Sequence, residues 1–267
     1  MPDWESMEKV RLYGHRPFTV AAVHGGPGVP GEIAPVAREL SATVGVLEPL
    51  LTATTIAGQV LELDNILSDK GKLPVTLIGF SWGAMLSFIF TAQHPASVRK
   101  LILVSSGVFE DEYASGIMNT RLSRLNEEER KEVLSLMKDL DRPVAKNRNV
   151  LMEQFGTLLA KADIYDALPQ KNEVVEYQYN VYRMVWEEAS KLRRSGRLLE
   201  MGVEIRCPVV AIHGDYDPHP AQGVRDPLAR TLQDFRFILI PQCGHYPWQE
   251  RNARDTFYDI LKQEVNS

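Results

Sequence analysis

Three residue types that together make an oxygen nucleophile work, a serine, an acid and a histidine, occur in that order at turn-like positions of the 267-residue chain. Ser81 stands in Gly79-Phe80-Ser81-Trp82-Gly83, where the apolar run PVTLIGF meets the apolar run AMLSFIFTAQHP. This is the spacing of a G-x-S-x-G nucleophile elbow, a strained turn that lifts the hydroxyl above a strand end and leaves space only for hydrogens at the glycines. The same turn sets the backbone N–H of Trp82 at the start of the next helix, where the dipole and free donors favour a developing oxyanion. A serine hydroxyl is a poor nucleophile at neutral pH, so the chemistry needs a base, an acid to orient it and a second oxyanion donor.

Each has a candidate. His245, in the short loop QCGHYPW, is the base. Asp215 and Asp217, in DYDPHP, compete for the orienting role. His213 ends a buried strand, and His219, two residues past Asp217, is expected to have difficulty folding back against that carboxylate and the serine together, so both read as structural. The glycine-rich turn His24-Gly25-Gly26-Pro27-Gly28 can bring bare backbone to a substrate carbonyl, with Gly26 the favoured donor and Gly25 next. His24 reads as the residue that fixes this loop. The chemistry calls for no metal and no organic cofactor. Cys207 and Cys243 are too few for a disulfide framework and lack metal-ligand spacing, which leaves them as free, mostly buried thiols.

Positioning these residues requires strands that end where the turns begin. Six runs rich in Val, Ile, Leu and Phe supply them, at residues 18–25, 43–49, 74–80, 100–106, 208–214 and 235–241. They do not alternate strictly, as expected of parallel strands buried on both faces, and helical patterns separate most of them. The expected fold is therefore α/β, a mostly parallel sheet flanked by helices. Between about Val108 and Arg206 the strand signals vanish, which divides the chain into a core of residues 1–107 and 207–267 and a helical cap of residues 108–206. Three helices are expected in the cap: Leu125 to Leu140, ended by Asp141-Arg142-Pro143; VLMEQFGTLLAKA; and Val174 to Arg194, closed by Gly196 with Lys191, Arg193 and Arg194 in its last turn.

The formal net charge of −5 gives no electrostatic reason to expect nucleic acid or a membrane surface as partner, so a small-molecule substrate is the expectation. The first residues lack the basic-then-apolar profile of a signal peptide and no apolar run is long enough to span a bilayer, which suggests a cytoplasmic protein. Oligomeric state leaves no mark in the sequence.

HGGPG, GFSWGA, GDYD and CGH together resemble the α/β-hydrolase superfamily over nearly the whole chain, and most resemble its proline iminopeptidase branch. The resemblance implies a serine hydrolase cleaving an ester or amide of a small apolar substrate, with a carboxylesterase, an aminopeptidase or a carbon–carbon bond hydrolase as its forms, and a non-catalytic ligand-binding member as the remote alternative. It places the acid at the end of a G-x-x-D turn, hence Asp217 over Asp215, with Glu110 and Asp111 at the position some members use instead. Proline iminopeptidases hold the substrate amine with cap carboxylates, for which Glu187 and Glu188 are available; consecutive helical residues diverge, so at most one faces a pocket, and Glu187 is the candidate. Trp82, Trp186, Tyr179 and Tyr182 read either as an apolar acyl pocket or as packing core. Two departures stand out: LEPLLTATTIAGQ replaces the branch's usual R-G-x-G-x-S region, and at most one strand fits before FTVAAVHG.

Overall fold

Apolar runs too continuous for a half-exposed strand need cover on both faces, and they find it in a seven-stranded sheet. A computed structural model describes residues 9–142, 146–169 and 171–267. Pro143 and the first eight residues, read above for a helix end and a leader, lie outside the described residues. The strands are β1 (Val10–Tyr13), β2 (Phe18–Val23), β3 (Gly45–Pro49), β4 (Val75–Phe80), β5 (Val98–Val104), β6 (Val209–Gly214) and β7 (Phe235–Ile240), in spatial order β1-β3-β2-β4-β5-β6-β7. All neighbours are parallel except β1, which runs antiparallel to β3 and, among the described residues, is the single strand ahead of β2. The run at 235–241 departs from expectation: β7 is an edge strand, only partly buried, with Leu239 exposed.

Alternate residues of each strand feed two cores. On β4, Val75 and Leu77 enter one face and Ile78 and Phe80 the other. The first face is covered by α2 (Ile56–Lys70) and α3 (Trp82–Gln93), the second by α1 (Ala34–Leu40). The interval between β5 and β6 holds α4 (Ile117–Arg124), α5 (Glu127–Asp141), α6 (Arg148–Asp163), α7 (Tyr179–Arg194) and the one-turn α8 (Arg197–Glu200). After β6, α9 (Gln222–Thr231) joins the first face and α10 (Arg254–Asn266) the second. Asn126 and Glu129 form a reciprocal capping box that starts α5, and Gly196, with φ +79°, follows α7 in the left-handed conformation.

Two corrections concern the interval's helices. α4 was not expected: with eight residues it offers only Met118 and Leu122 at helical spacing, too short a stripe to announce it. Conversely, Val174 to Gln178 are not helical: Val175 N–H donates to Pro30 O (2.8 Å), Gln178 N–H to Gly28 O (2.9 Å) and Val174 N–H to Asn172 Oδ1 (3.0 Å). In this strap two of these three donors go to the loop after β2 and the third to Asn172, instead of to a helix turn. The chain has no helix among the described residues long and apolar enough to cross a membrane.

Candidate active site

The turn after β4 is strained where the spacing requires it. Ser81 has φ 53° and ψ −115°, a conformation costly for any residue with a Cβ, and its N–H is held by Val104 O at 3.0 Å. A Cβ at Gly79 would lie 2.2 Å from Gly83 O, and one at Gly83 would lie 2.3 Å from His24 O, so helix and strand close to a distance only glycine allows. Helix α3 begins at Trp82.

Ser81, Asp217 and His245 arrive from the carboxyl ends of β4, β6 and β7 and meet. His245 Nε2 lies 3.0 Å from Ser81 Oγ, and Nδ1 lies 2.7 Å from Asp217 Oδ2. A carboxylate only accepts, so the proton of His245 sits on Nδ1 and the bare Nε2 faces the serine hydroxyl. Burial drives the Asp217 carboxyl upward, but the facing imidazoles of His245, His213 and His219 outweigh it and hold it well below the usual carboxylate range. Burial likewise opposes a charge on His245, and Asp217 reverses the balance, so the His245 pKa is raised.

His219 does not reach the carboxylate and the serine together, as its spacing predicts. It reaches the carboxylate alone: both its N–H (2.9 Å) and its Nδ1 (2.8 Å) lie on Asp217 Oδ1, and Ser81 is left to His245. His213 Nε2 donates to His219 O at 2.9 Å, bracing that turn. Asp217, His219 and His245 form the cluster with metal-ligand composition among the described residues, but both Nδ1 atoms are already engaged by the carboxylate. The competing acids lie elsewhere: Asp215 Oδ1 accepts from Cys243 N–H, Glu110 pairs with Arg230 and Asp111 with Arg193.

Gly26 and Trp82 line a cavity of about 450 Å³ over Ser81. Their backbone N–H groups are the candidate oxyanion donors, Trp82 as the first residue of α3 and Gly26 in the loop after β2. Gly25 does not open on this cavity; a Cβ there would lie 2.3 Å from Glu32 Oε2 and 2.6 Å from the Phe80 ring. His24 holds the loop from behind, with Nδ1 2.9 Å from Gly25 O and Nε2 accepting from Leu51 N–H at 3.3 Å, and burial pushes its pKa down to about 4.

Met152, Phe155 and Leu159 of α6 and Tyr182 and Trp186 of α7 make the apolar wall. Trp82 lines the cavity too, edge-on to Trp186 at 6.3 Å with its indole N–H given to Gln59. Tyr179 is core instead, its hydroxyl donating to Leu140 O. Glu187 is a correction: it is exposed, pairs with Lys191 and does not reach the cavity, because its position on α7 faces solvent. Glu188 accepts from Ile56 N–H at the start of α2. Arg193, in the last turn of α7, bridges to Asp111. The LEPLLTATTIAGQ stretch contributes no residue to the cavity wall. Cys243 is buried and Cys207 partly so, and burial raises both thiols, Cys207 to about 11.

Four further polar residues had no local signal. Glu32 lines the cavity beside Tyr246, and burial pushes its carboxyl up to about 7. Arg121 of α4 forks onto Asp163 of α6 at 2.8 and 2.6 Å in the cavity wall. Asp163 O in turn accepts from His245 N–H (2.8 Å), and Glu250 receives the N–H groups of Gly244, Tyr165 and Asp166, tying the histidine loop to the end of α6. A capping or turn motif would have shown in the sequence; apart from Gly244, six residues before Glu250, these partners are separated by tens of residues.

The chain resembles known structures in fold. A meta-cleavage product hydrolase from Pseudomonas fluorescens superposes with a TM-score of 0.64 at 16% identity, covering 96% of this chain and 93% of that one. An esterase from Exiguobacterium antarcticum gives 0.64 at 17% identity, with 97% and 95% covered. The proline iminopeptidase of Mycobacterium smegmatis gives 0.60 at 14%, with 96% and 93% covered. None of the curated proteins matches the sequence. The family model described as alpha/beta hydrolase fold matches residues 55–250, from α2 through the loop that carries His245. With most of the chain inside that match and the parallel sheet and serine turn in place, the chain belongs to the α/β-hydrolase fold family.

Proposed function

We propose that the protein is a serine hydrolase that cleaves an ester or amide of a small, largely apolar substrate through an acyl-enzyme. The observation that carries the reading is the unbroken chain from Ser81 Oγ to His245 Nε2 (3.0 Å) and from His245 Nδ1 to Asp217 Oδ2 (2.7 Å) at the floor of the cavity. Ser81 attacks the carbonyl carbon as His245 takes its proton; the tetrahedral oxyanion is met by the N–H groups of Trp82 and Gly26. Collapse expels the leaving group, which receives the proton from His245, and water then repeats the sequence on the acyl-enzyme. Asp217 holds the imidazole in the required tautomer and stabilises the imidazolium. Residues 108–206 act as the cap over a core of residues 1–107 and 207–267, and Trp82 and Trp186 contribute to the acyl wall.

The aminopeptidase form needs a carboxylate for the substrate amine. Glu187 is out of reach, and among the described residues Glu32 is the cavity-lining carboxylate without an ion pair, so the aminopeptidase form would hold the amine through Glu32. A fluorophosphonate probe tests the reading: covalent labelling of the wild type and none of Ser81→Ala is expected, whereas an unlabelled wild type removes it. A panel of p-nitrophenyl esters and aminoacyl anilides then ranks the substrate classes.

A further inference from the structure

His219 is the one imidazole on Asp217 that opens on the cavity without a task in the scheme above. Its position is fixed at three points: N–H and Nδ1 on Asp217 Oδ1 at 2.9 and 2.8 Å, and the carbonyl on His213 Nε2 at 2.9 Å. Because Asp217 can only accept, the proton of His219 is on Nδ1 and Nε2 is a bare lone pair. Among the described residues Nε2 has no partner, yet it is not sealed in the core: His219 lines the catalytic cavity. Its ring centroid lies 4.8 Å from that of His245, with the planes 32° apart. The leaving atom must sit within hydrogen-bond reach of His245 Nε2, the atom that returns the proton, and so beside His219.

We propose that His219 Nε2 accepts a hydrogen bond from the N–H of a scissile amide, and that amides rather than esters are therefore the substrate class of this site. The inference rests on the serine hydrolase reading. When Ser81 Oγ bonds to the carbonyl carbon, an amide nitrogen becomes pyramidal. Its lone pair takes the serine's proton from His245 as the C–N bond breaks, and the hydrogen it already carried stays on the departing amine. That retained N–H is the donor His219 receives; His219 itself neither gains nor loses a proton. Burial pushes the pKa of His219 down to about 4, so the ring remains an acceptor throughout the neutral range. An ester oxygen carries no hydrogen and would set lone pair against lone pair, and sites built to receive an N–H discriminate against analogues lacking one.

The test uses three substrates with one acyl group: a secondary anilide, its N-methyl anilide and the phenyl ester. All three depend alike on Ser81, His245 and Asp217, so damage to that assembly cancels in the ratios. In His219→Phe, kcat/KM for the secondary anilide is expected to fall about tenfold further than for the other two, the effect of one hydrogen bond. In His219→Gln, whose amide oxygen restores an acceptor, part of that selective loss should return. Equal losses on all three substrates overturn the inference, as does a wild type that cleaves the ester and not the secondary anilide; both leave the hydrolase reading intact if fluorophosphonate still labels Ser81. Absence of labelling overturns both. Should the Phe variant fail to fold, His219→Leu, which likewise has no acceptor, is read on the same ratios.

Discussion

Asp217 is a single carboxylate facing three imidazoles, and its consequences appear first in the pH profile. The base His245 works only when neutral, and its pKa is raised because Asp217 outweighs the burial that would lower it. Activity is therefore lost as pH falls through a value above the ordinary histidine pKa of about 6.5. The acid limb of kcat/KM should show that midpoint, and in Asp217→Asn it should move down while kcat drops by several orders of magnitude, on the scale of ~10⁴ seen for such a change. A midpoint at or below the ordinary value, or one that does not move in the variant, would contradict the account. At this scale the sequence was legible wherever chemistry is local: Ser81 by its flanking glycines, His245 and Asp217 by following apolar strands. The grip of His219 on Asp217 was not legible, because it depends on the turn Asp217-Pro218-His219 curling tightly enough for Oδ1 to receive both N–H and Nδ1 of the same residue. Glu32, the Arg121–Asp163 pair and the grip of Glu250 on Tyr165 and Asp166 involve partners far away in sequence, so nothing near them marks their roles.

Elements that position the site are coupled through backbone. The strap at residues 174–178 and the loop after β2 share two backbone hydrogen bonds, and the loop meets the strap with glycines at left-handed φ. At Gly28, with φ +76°, a Cβ would lie 2.4 Å from Gln178 O. Gly28→Ala therefore combines an unfavourable conformation, about 1–2 kcal/mol, with a backbone clash, and the strain has to move the strap or the loop that carries Gly26. The expected result is a fall in kcat of about tenfold or more with a smaller change in KM, since the oxyanion donor acts mainly in the transition state. Steady-state kinetics on the best substrate checks it, and an unchanged kcat would show that the loop tolerates the shift. The strap is also where the helical pattern misled. VVEYQ continues the periodicity of α7, but Pro30 O, Gly28 O and Asn172 Oδ1 claim its donors, and those competitors are visible only once the chain is folded.

For the molecule as a whole, the class of fold follows from strand composition: runs apolar on both faces require helices on both sides, and five of the six expected runs are buried inner strands. β7 escaped because an edge strand can carry the same residues with less cover. The interval between β5 and β6 was readable as helical but not in its contacts, since the residues that wall the cavity are ordinary helix-face apolar residues. Every group of the site lies at the carboxyl end of a parallel strand or in that interval, the location open α/β sheets offer to ligands. The convergence on Asp217 also has a spectroscopic side. Three of the chain's six histidines gather there, and two of them, His219 and His245, each give an Nδ1 proton to a buried carboxylate. Protons held this way resonate far downfield and exchange slowly with water. A proton NMR spectrum of the resting protein should thus carry two low-field imidazole lines, one of them erased by His219→Phe, so the assembled site can be watched before any substrate is in hand.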